Sequence, residues 1–125
     1  MNFNMRYLDL KRKIRDVRML AIQGIAEAGS GHPGASFSAA EVMGTIYFRK
    51  MKHDPSKPDW KERDYFVNSK AHSAPGYYAT LAVAGYFATD EMKTLRRIGS
   101  RLQGHPVRYS EQQKQHSIPG VEYSG

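Results

Sequence analysis

The sequence contains a single short stretch with strand character among four segments with helical character. That stretch, YFVNS at residues 65–69, is rich in residue types that favour β-structure. The backbone N–H and C=O groups of a lone strand lack partners within the chain, so they must pair with strands from elsewhere. We therefore expect either that another chain supplies the neighbouring strands or that this sequence is the opening part of a larger α/β unit.

Hydrophobic periodicity and helix-terminating residues predict the four helices. The predicted spans are residues 8–27, 39–51 and 75–84, followed by a fourth helix with Thr89 as N-cap and Gly99 as terminator. In front of the second helix, Ser38 and Glu41 have the spacing of a capping box, and Phe37 and Val42 that of a hydrophobic staple. The apolar stripe of this helix is predicted at Val42, Met43, Ile46 and Tyr47.

Composition limits the class of protein. A length of 125 residues suits at most one ordinary domain or a piece of one. Cysteine is absent, which excludes disulfides and thiolate metal sites and favours a cytoplasmic location. The N-terminus lacks the apolar run of a signal peptide, and the most apolar region, residues 77–88, is too short to cross a bilayer. No membrane partner is expected.

A net charge of +7 raises the question of nucleic-acid binding. The local support is a group of cations in the first helix: Lys11, Arg12, Lys13, Arg15 and Arg18. Apolar residues recur at helical spacing in the same segment: Ile14, Val17, Ala21 and Ile25. An amphipathic helix with a solvated basic face explains both patterns, and we expect no nucleic-acid partner.

Three of the five histidines share a setting. His32 lies in SGHPG, His72 in SKAHS and His105 in QGHP. A preceding small residue allows close approach of a ligand, and a following proline restricts the local chain. Imidazole titrates near neutrality, so it can donate to an oxygen or carry a proton. His72 also follows the predicted strand, where open α/β sheets bind ligands. We expect these three side chains to share one pocket.

The sequence gives little support for a metal site, a serine nucleophile or a nucleotide-binding loop. Spacings of 40 and 33 residues between the three histidines match no zinc motif, so no metal ligands are assigned within the sequence. The sequence has no nucleophile elbow, P-loop or dinucleotide fingerprint. The remaining histidines, His53 and His116, are predicted to be solvent-exposed loop residues, and residues 112–115 are predicted to form a loop.

Several ordered motifs together resemble one family. They read IRDVRMLAIQGIAEAGSGHPGASFSAAEVMGTIYF, RDYFVNSKAHSAPGYYATLAVAGYF, LRRIGSRLQGHP and PGVEYSG. This succession, from about residue 11 to residue 125, is similar to the N-terminal part of transketolase, and most like the form split into separate subunits. The resemblance implies a thiamine-diphosphate-binding, Rossmann-like α/β module, of which this chain is the helix-rich opening portion with an incomplete parallel sheet.

The resemblance also implies an activity and roles for the histidines. The family uses thiamine diphosphate with Mg²⁺ or Ca²⁺ to move a two-carbon ketol unit from a ketose phosphate to an aldose phosphate. His32 resembles the histidine that meets donor and acceptor oxygens, and His72 the one that contacts the diphosphate. His105 resembles the histidine that stabilises charge on a developing alkoxide. The implied partners are a C-terminal transketolase subunit or module and, in the complete enzyme, a second copy.

Two departures from the family pattern qualify these expectations. Ala71 stands where the family usually has glycine, so its methyl group could crowd the approach to His72. The family's Gly-rich loop, Gly-Asp-Gly metal motif and downstream Asn would all follow Gly125. Residues 1–125 are therefore expected to be the N-terminal part of one diphosphate-binding domain, truncated before these motifs and inactive alone. The alternative is a non-catalytic interaction protein that pairs with a C-terminal transketolase-like partner.

Overall fold

The computed structural model describes residues 5–106 and 117–121. Three α-helices make up most of it: α1 (Tyr7–Ala28), α2 (Pro33–Thr45) and α3 (Ala74–Ala84). A π-helical turn (Ile46–Lys50) continues α2, a 3₁₀ turn (Ala71–Ser73) leads into α3, and a 3₁₀ segment (Thr89–Thr94) follows it. Within these ranges no helix combines the length and apolarity needed to cross a bilayer.

Helix α3 forms the centre of the core. Nine of its 11 residues are buried, so the helix has no solvated face. Such a helix is stable only when other elements surround it. Both α1 and α2 pack directly against α3. The helix ends at Gly85, whose φ of 103° is in the left-handed region that glycine adopts readily. The predicted helix over residues 75–84 is confirmed.

Helix α1 is amphipathic, as predicted. Its buried side reads Leu10, Ile14, Val17, Ala21 and Ile25. Its exposed cations have local partners: Arg12 and Arg15 pair with Asp9 and Asp16, and Arg18 reaches Glu41 of α2. The ammonium groups of Lys11 and Lys13 lie 5.5 and 6.0 Å from the ring centroids of Tyr7 and Phe48. These charges are engaged within the fold, as expected for the solvated face of an amphipathic helix, and the absence of a nucleic-acid partner stays a prediction.

Helix α2 begins six residues before the predicted start at Ala39. Proline at the first position has a helical φ and no N–H to leave unpaired, so Pro33 starts the helix directly after His32. Ser38 does not cap anything, since its hydroxyl donates to the Ala35 carbonyl within the helix, 3.1 Å away. The predicted capping box and staple are therefore wrong. Val42 is 60 % exposed, whereas Met43 and Tyr47 of the predicted stripe are buried.

Two further elements differ from their predictions. Thr89 starts a short 3₁₀ segment rather than a fourth α-helix, and the chain leaves helical geometry at Leu95, well before Gly99; the Leu95 side chain is buried. The stretch 65–69 forms no strand in the described ranges, and only Asn68 makes a β-bridge. Alternate residues nevertheless face inward and outward, with Tyr65 and Val67 exposed and Asn68 buried. The parallel sheet remains a prediction.

His53 is buried, at 3 % exposure, and the prediction of an exposed loop residue is wrong. Its ring stacks on Tyr86 with centroids 5.6 Å apart. Nε2–H donates to the Tyr47 carbonyl at 2.6 Å, because a carbonyl can only accept. Nδ1 therefore accepts the hydroxyl proton of Tyr86, also at 2.6 Å. Burial raises the pKa of Tyr86 to about 12, which keeps that hydroxyl a donor.

Stability is expected to fall in mild acid because of His53. Burial lowers the pKa of its ring from the ordinary value of 6.5, so the unfolded chain binds the proton more readily than the folded one. This contribution is complete above about pH 6.5 and is lost as the pH falls from there towards the lowered folded pKa. Urea unfolding from pH 5 to 8 should show a contribution of at most about 1.4 kcal/mol per pH unit. His53→Gln, which retains a donor and an acceptor, should flatten the profile, and an unchanged profile would contradict the assignment.

The crossing of α1 and α2 depends on Gly44. A Cβ added there would lie 2.5 Å from Cγ1 of Ile14, which is closer than real side chains approach. Gly44→Ala should therefore lower the free energy of unfolding by about 1–3 kcal/mol in urea titrations. Gly34→Ala is the matched control in the same helix, since a Cβ there meets nothing within 4 Å. The control should be neutral or stabilising by up to about 1 kcal/mol. Equal effects of both variants would contradict the steric argument.

Candidate functional site

Three histidines far apart in the sequence lie together in the structure. The ring centroids of His32 and His72 are 4.6 Å apart, and those of His72 and His105 are 5.4 Å apart. Both pairs meet edge to face, with interplanar angles of 74° and 89°. All three residues are exposed. The result is an open cluster of imidazoles on the surface, with His72 in the middle.

His32 occupies the N-cap position of α2. The first helical turn ties its backbone to the helix, since the Ser36 amide donates to the His32 carbonyl at 3.2 Å. Ser36 itself is buried, at 1 % exposure, and its hydroxyl oxygen accepts the backbone N–H of Gly76 at 3.0 Å. The histidine therefore projects from the end of a helix that is joined to α3 just behind it.

His72 lies in the 3₁₀ turn that begins α3, and a small hydrogen-bonded network supports that turn. The buried Ser73 hydroxyl donates to the Lys70 carbonyl at 2.6 Å and accepts the Asn68 amide at 3.1 Å. The Asn68 side-chain oxygen in turn accepts the Lys70 backbone N–H at 3.1 Å. Ala71, the departure from glycine, starts the turn without a left-handed φ, so the backbone there does not require glycine.

His105 follows a loop fastened at two points. The Tyr78 hydroxyl of α3 donates to the Gln103 carbonyl at 2.8 Å. Arg101 binds both carboxylate oxygens of Glu91, at 2.6 and 2.8 Å, and donates to the Ser117 carbonyl at 3.2 Å. The same bidentate contact raises the pKa of Arg101. These contacts hold the loop against α3 and the 3₁₀ segment.

Two cations that the sequence did not single out contact segments next to the histidines in the chain. Lys70, two residues before His72, reaches the Ser38 hydroxyl with its ammonium at 2.5 Å. Arg96 has a left-handed φ of 63°, and its guanidinium lies 3.3 Å from where a Cβ of Gly104 would be. Lys70 could have been found from its proximity to His72 in the sequence. Arg96 could not have been found from the sequence, because the backbone turn at residue 96 brings its side chain to Gly104.

The histidine cluster is separate from two clefts elsewhere on the described surface. One cleft of about 400 Å³ lies between the 3₁₀ segment and residues 97–101, and another of about 560 Å³ between α1 and the 3₁₀ segment. Across residues 5–106 and 117–121, no group of three His, Asp or Glu side chains is arranged to hold a metal ion. His116 and residues 112–115 lie outside the described residues, so the exposure predicted for His116 and the loop predicted for residues 112–115 stay predictions.

Comparison with known proteins agrees with the placement of these segments. Residues 10–119 match the family model described as transketolase, thiamine diphosphate binding domain. The chain belongs to the transketolase family. Members of that family are transferases, and the matched part is the domain that binds the cofactor.

Similar relatives include components of divided transketolases. The chain is 44 % identical over 98 residues to the 6-deoxy-6-sulfo-D-fructose transketolase subunit SqwG of Clostridium sp. (strain MSTE9), covering 78 % of this chain and 36 % of that protein. It is 38 % identical over 122 residues to one of the subunits of the apulose-4-phosphate transketolase of Actinobacillus succinogenes, covering 96 % and 41 %. The chain thus spans well under half the length of these relatives.

A solved structure supports the fold. The transketolase of Leishmania mexicana superposes with a TM-score of 0.80 at 35 % identity. The match covers 92 % of this chain and 16 % of that one. The helical arrangement described above is therefore that of a transketolase.

The loop that carries His105 should loosen when the bidentate contact is weakened. Glu91→Gln removes the charge that Arg101 binds, and both side chains are largely shielded from solvent. We expect a loss of about 1 kcal/mol of stability and faster amide exchange in residues 101–106. Asp90→Asn is the matched control. Asp90 is exposed, and its ion pair with Lys93, at 3.6 Å, does not involve the loop that carries His105. Equal amide exchange rates in the two variants would show that the contact does not hold the loop.

Proposed function

We propose that this chain supplies the histidine-bearing part of a transketolase active site. The reaction is the transfer of a two-carbon ketol unit from a ketose phosphate to an aldose phosphate, with thiamine diphosphate as cofactor. The observation that carries the proposal is the convergence of His32, His72 and His105 within 4.6 and 5.4 Å between neighbouring rings. The three imidazoles are exposed and come from three separate segments, so packing of the core does not account for their meeting.

The donor set fits the diphosphate of the cofactor. Each imidazole offers an N–H donor, and two of the three histidines lie at the start of helices, where backbone dipoles favour negative charge. Lys70 and Arg96 add positive charge nearby. We assign the diphosphate contact to His72, which is the middle ring of the cluster.

The other two histidines are assigned to the substrate. His32 donates to oxygens of the donor and acceptor sugars, and its place at the end of α2 fixes its direction. His105 stabilises negative charge that develops on a substrate oxygen, as a preorganised donor does. Thiamine diphosphate, when bound, supplies the nucleophilic carbon and the electron sink for this chemistry.

Further polypeptide completes the site in this proposal. We place residues 1–125 in the N-terminal part of one diphosphate-binding domain, with the ligands for Mg²⁺ or Ca²⁺ on other sequence. A C-terminal subunit or module supplies the rest, as the divided relatives suggest. Apolar side chains exposed at Tyr65, Val67 and Ile98 are suited to such contacts. Assembly into a homo-oligomer, a place in the pentose phosphate pathway and a cytoplasmic location belong to the same proposal.

A non-catalytic interaction protein is the alternative. It would use the same exposed apolar residues to hold a C-terminal partner. It gives no reason for the histidine cluster, so we favour the enzyme.

The proposal is tested by ketol transfer in the assembled enzyme that contains this chain. His72→Gln should raise the thiamine diphosphate concentration for half-maximal rate about 10- to 100-fold, the effect of one hydrogen bond to a charged group. His105→Gln should lower kcat about 100-fold with less effect on the cofactor requirement. Lys57→Gln, an exposed cation of the connector after α2, is the control and should change neither value. Histidine variants that behave like the control would exclude the assigned roles.

A further inference from the structure

Ser36 and Gly76 join α2 and α3, the two helices that His32 and His72 precede. Each of the joined residues lies four positions after its histidine, about one helical turn into the helix. The Gly76 N–H donates to the Ser36 hydroxyl oxygen at 3.0 Å, and both residues are buried. The contact therefore joins the two chain segments about one helical turn after each histidine.

The hydrogen bond is a helix cap supplied from another helix. The first N–H groups of any α-helix lack partners within it. In α3 the N-cap residue, Ser73, makes no side-chain capping bond, and Pro75 has no N–H. Gly76 is thus the first-turn donor that needs an acceptor, and the side chain that provides it comes from α2.

The fit between the two residues is also tight. A Cβ at Gly76 would lie 3.0 Å from the Ser36 Cβ and 3.1 Å from its Cα and carbonyl oxygen. Two of these atoms are backbone and cannot rotate away. The absence of a side chain at Gly76 therefore sets how closely the starts of α2 and α3 approach each other.

We propose that Ser36 is a positioning residue that fixes the separation of the His32 and His72 rings by capping α3. The second ring pair, His72 and His105, does not depend on it. That pair is held by contacts of the α3 region itself, through the Ser73 and Tyr78 hydroxyls. The effect on cofactor binding rests on the proposed function, whereas the ring geometry does not.

The test measures nuclear Overhauser contacts between histidine ring protons in the full 125-residue chain, with labelled histidine. The unsubstituted chain should show contacts within both ring pairs. Ser36→Ala should lose the contact between His32 and His72 but keep the one between His72 and His105. General loosening of the fold would weaken both, and the stacked His53 and Tyr86 rings serve as an internal reference. Retention of the first contact, or loss of both, would overturn the proposal.

Two variants sharpen the result. Gly76→Ala keeps the serine hydroxyl but requires Ser36 to shift by a few tenths of an ångström, so it should weaken the same single contact that Ser36→Ala loses. Thr80→Ala is the matched control: it removes a buried hydroxyl that bonds only within α3, to the Gly76 carbonyl at 2.8 Å, and it should keep both contacts. If Ser36→Ala fails to fold, the proposal is tested instead by hydrogen exchange of the Gly76 amide in the unsubstituted chain. Slow exchange at Gly76 is expected from the cap, and fast exchange would refute it.

A functional measurement separates this inference from the proposed function. In the assembled enzyme, Ser36→Ala should raise the thiamine diphosphate requirement by a smaller factor than His72→Gln, and Thr80→Ala should not raise it. An unchanged requirement after the rings have separated would overturn the positioning role. Absence of ketol transfer from the unsubstituted enzyme would overturn the proposed function alone, because the ring contacts are measured without cofactor.

Discussion

The burial of α3 is the constraint on which the rest of the structure depends. Its apolar composition leaves no side that can face water, so α1, α2 and the segments around residues 89–106 pack against it. Each histidine segment is then fixed to this helix by its own hydrogen bond, through the Gly76 amide, the Ser73 hydroxyl or the Tyr78 hydroxyl. The site is thus a consequence of core packing, and its three parts share one support.

The same packing leaves a boundary that suits further polypeptide. Phe66 contacts the core rings of Tyr47 and Tyr77, each with centroids 5.5 Å away, while its neighbours Tyr65 and Val67 face solvent. This alternation is that of a strand with one covered face. An exposed second face is what a parallel sheet, buried on both sides, would cover. His72 follows this stretch along the chain, and the imidazole cluster of which it is the middle ring is exposed as well.

The sequence predicted those features that depend on local pattern or on motif order. Helices α1 and α3 and the meeting of three histidines are of this kind. The start of α2 was misjudged because two helix-start signals compete, and Pro33 prevails over Ser38. The burial of His53 could not be read from its polar surroundings, KHDPS, because the partners that satisfy its ring are distant in sequence, at Tyr86, or on the backbone. The positioning contacts were missed for the same reason, since Ser36 and Gly76 are 40 residues apart.

The placement of the histidines at helix starts combines two properties that rarely coincide. A helix start is rigid when its first turn is capped, yet its N-cap residue projects beyond the packed core. His32 is the N-cap residue of α2, and His72 lies in the 3₁₀ turn just before α3, so both rings are exposed next to hydrogen-bonded backbone. His105 obtains the same combination from a loop clamped by Arg101 and Tyr78. A cluster built in this way presents donors to an anionic ligand without reorganising, which is what electrostatic stabilisation of a reacting oxygen requires.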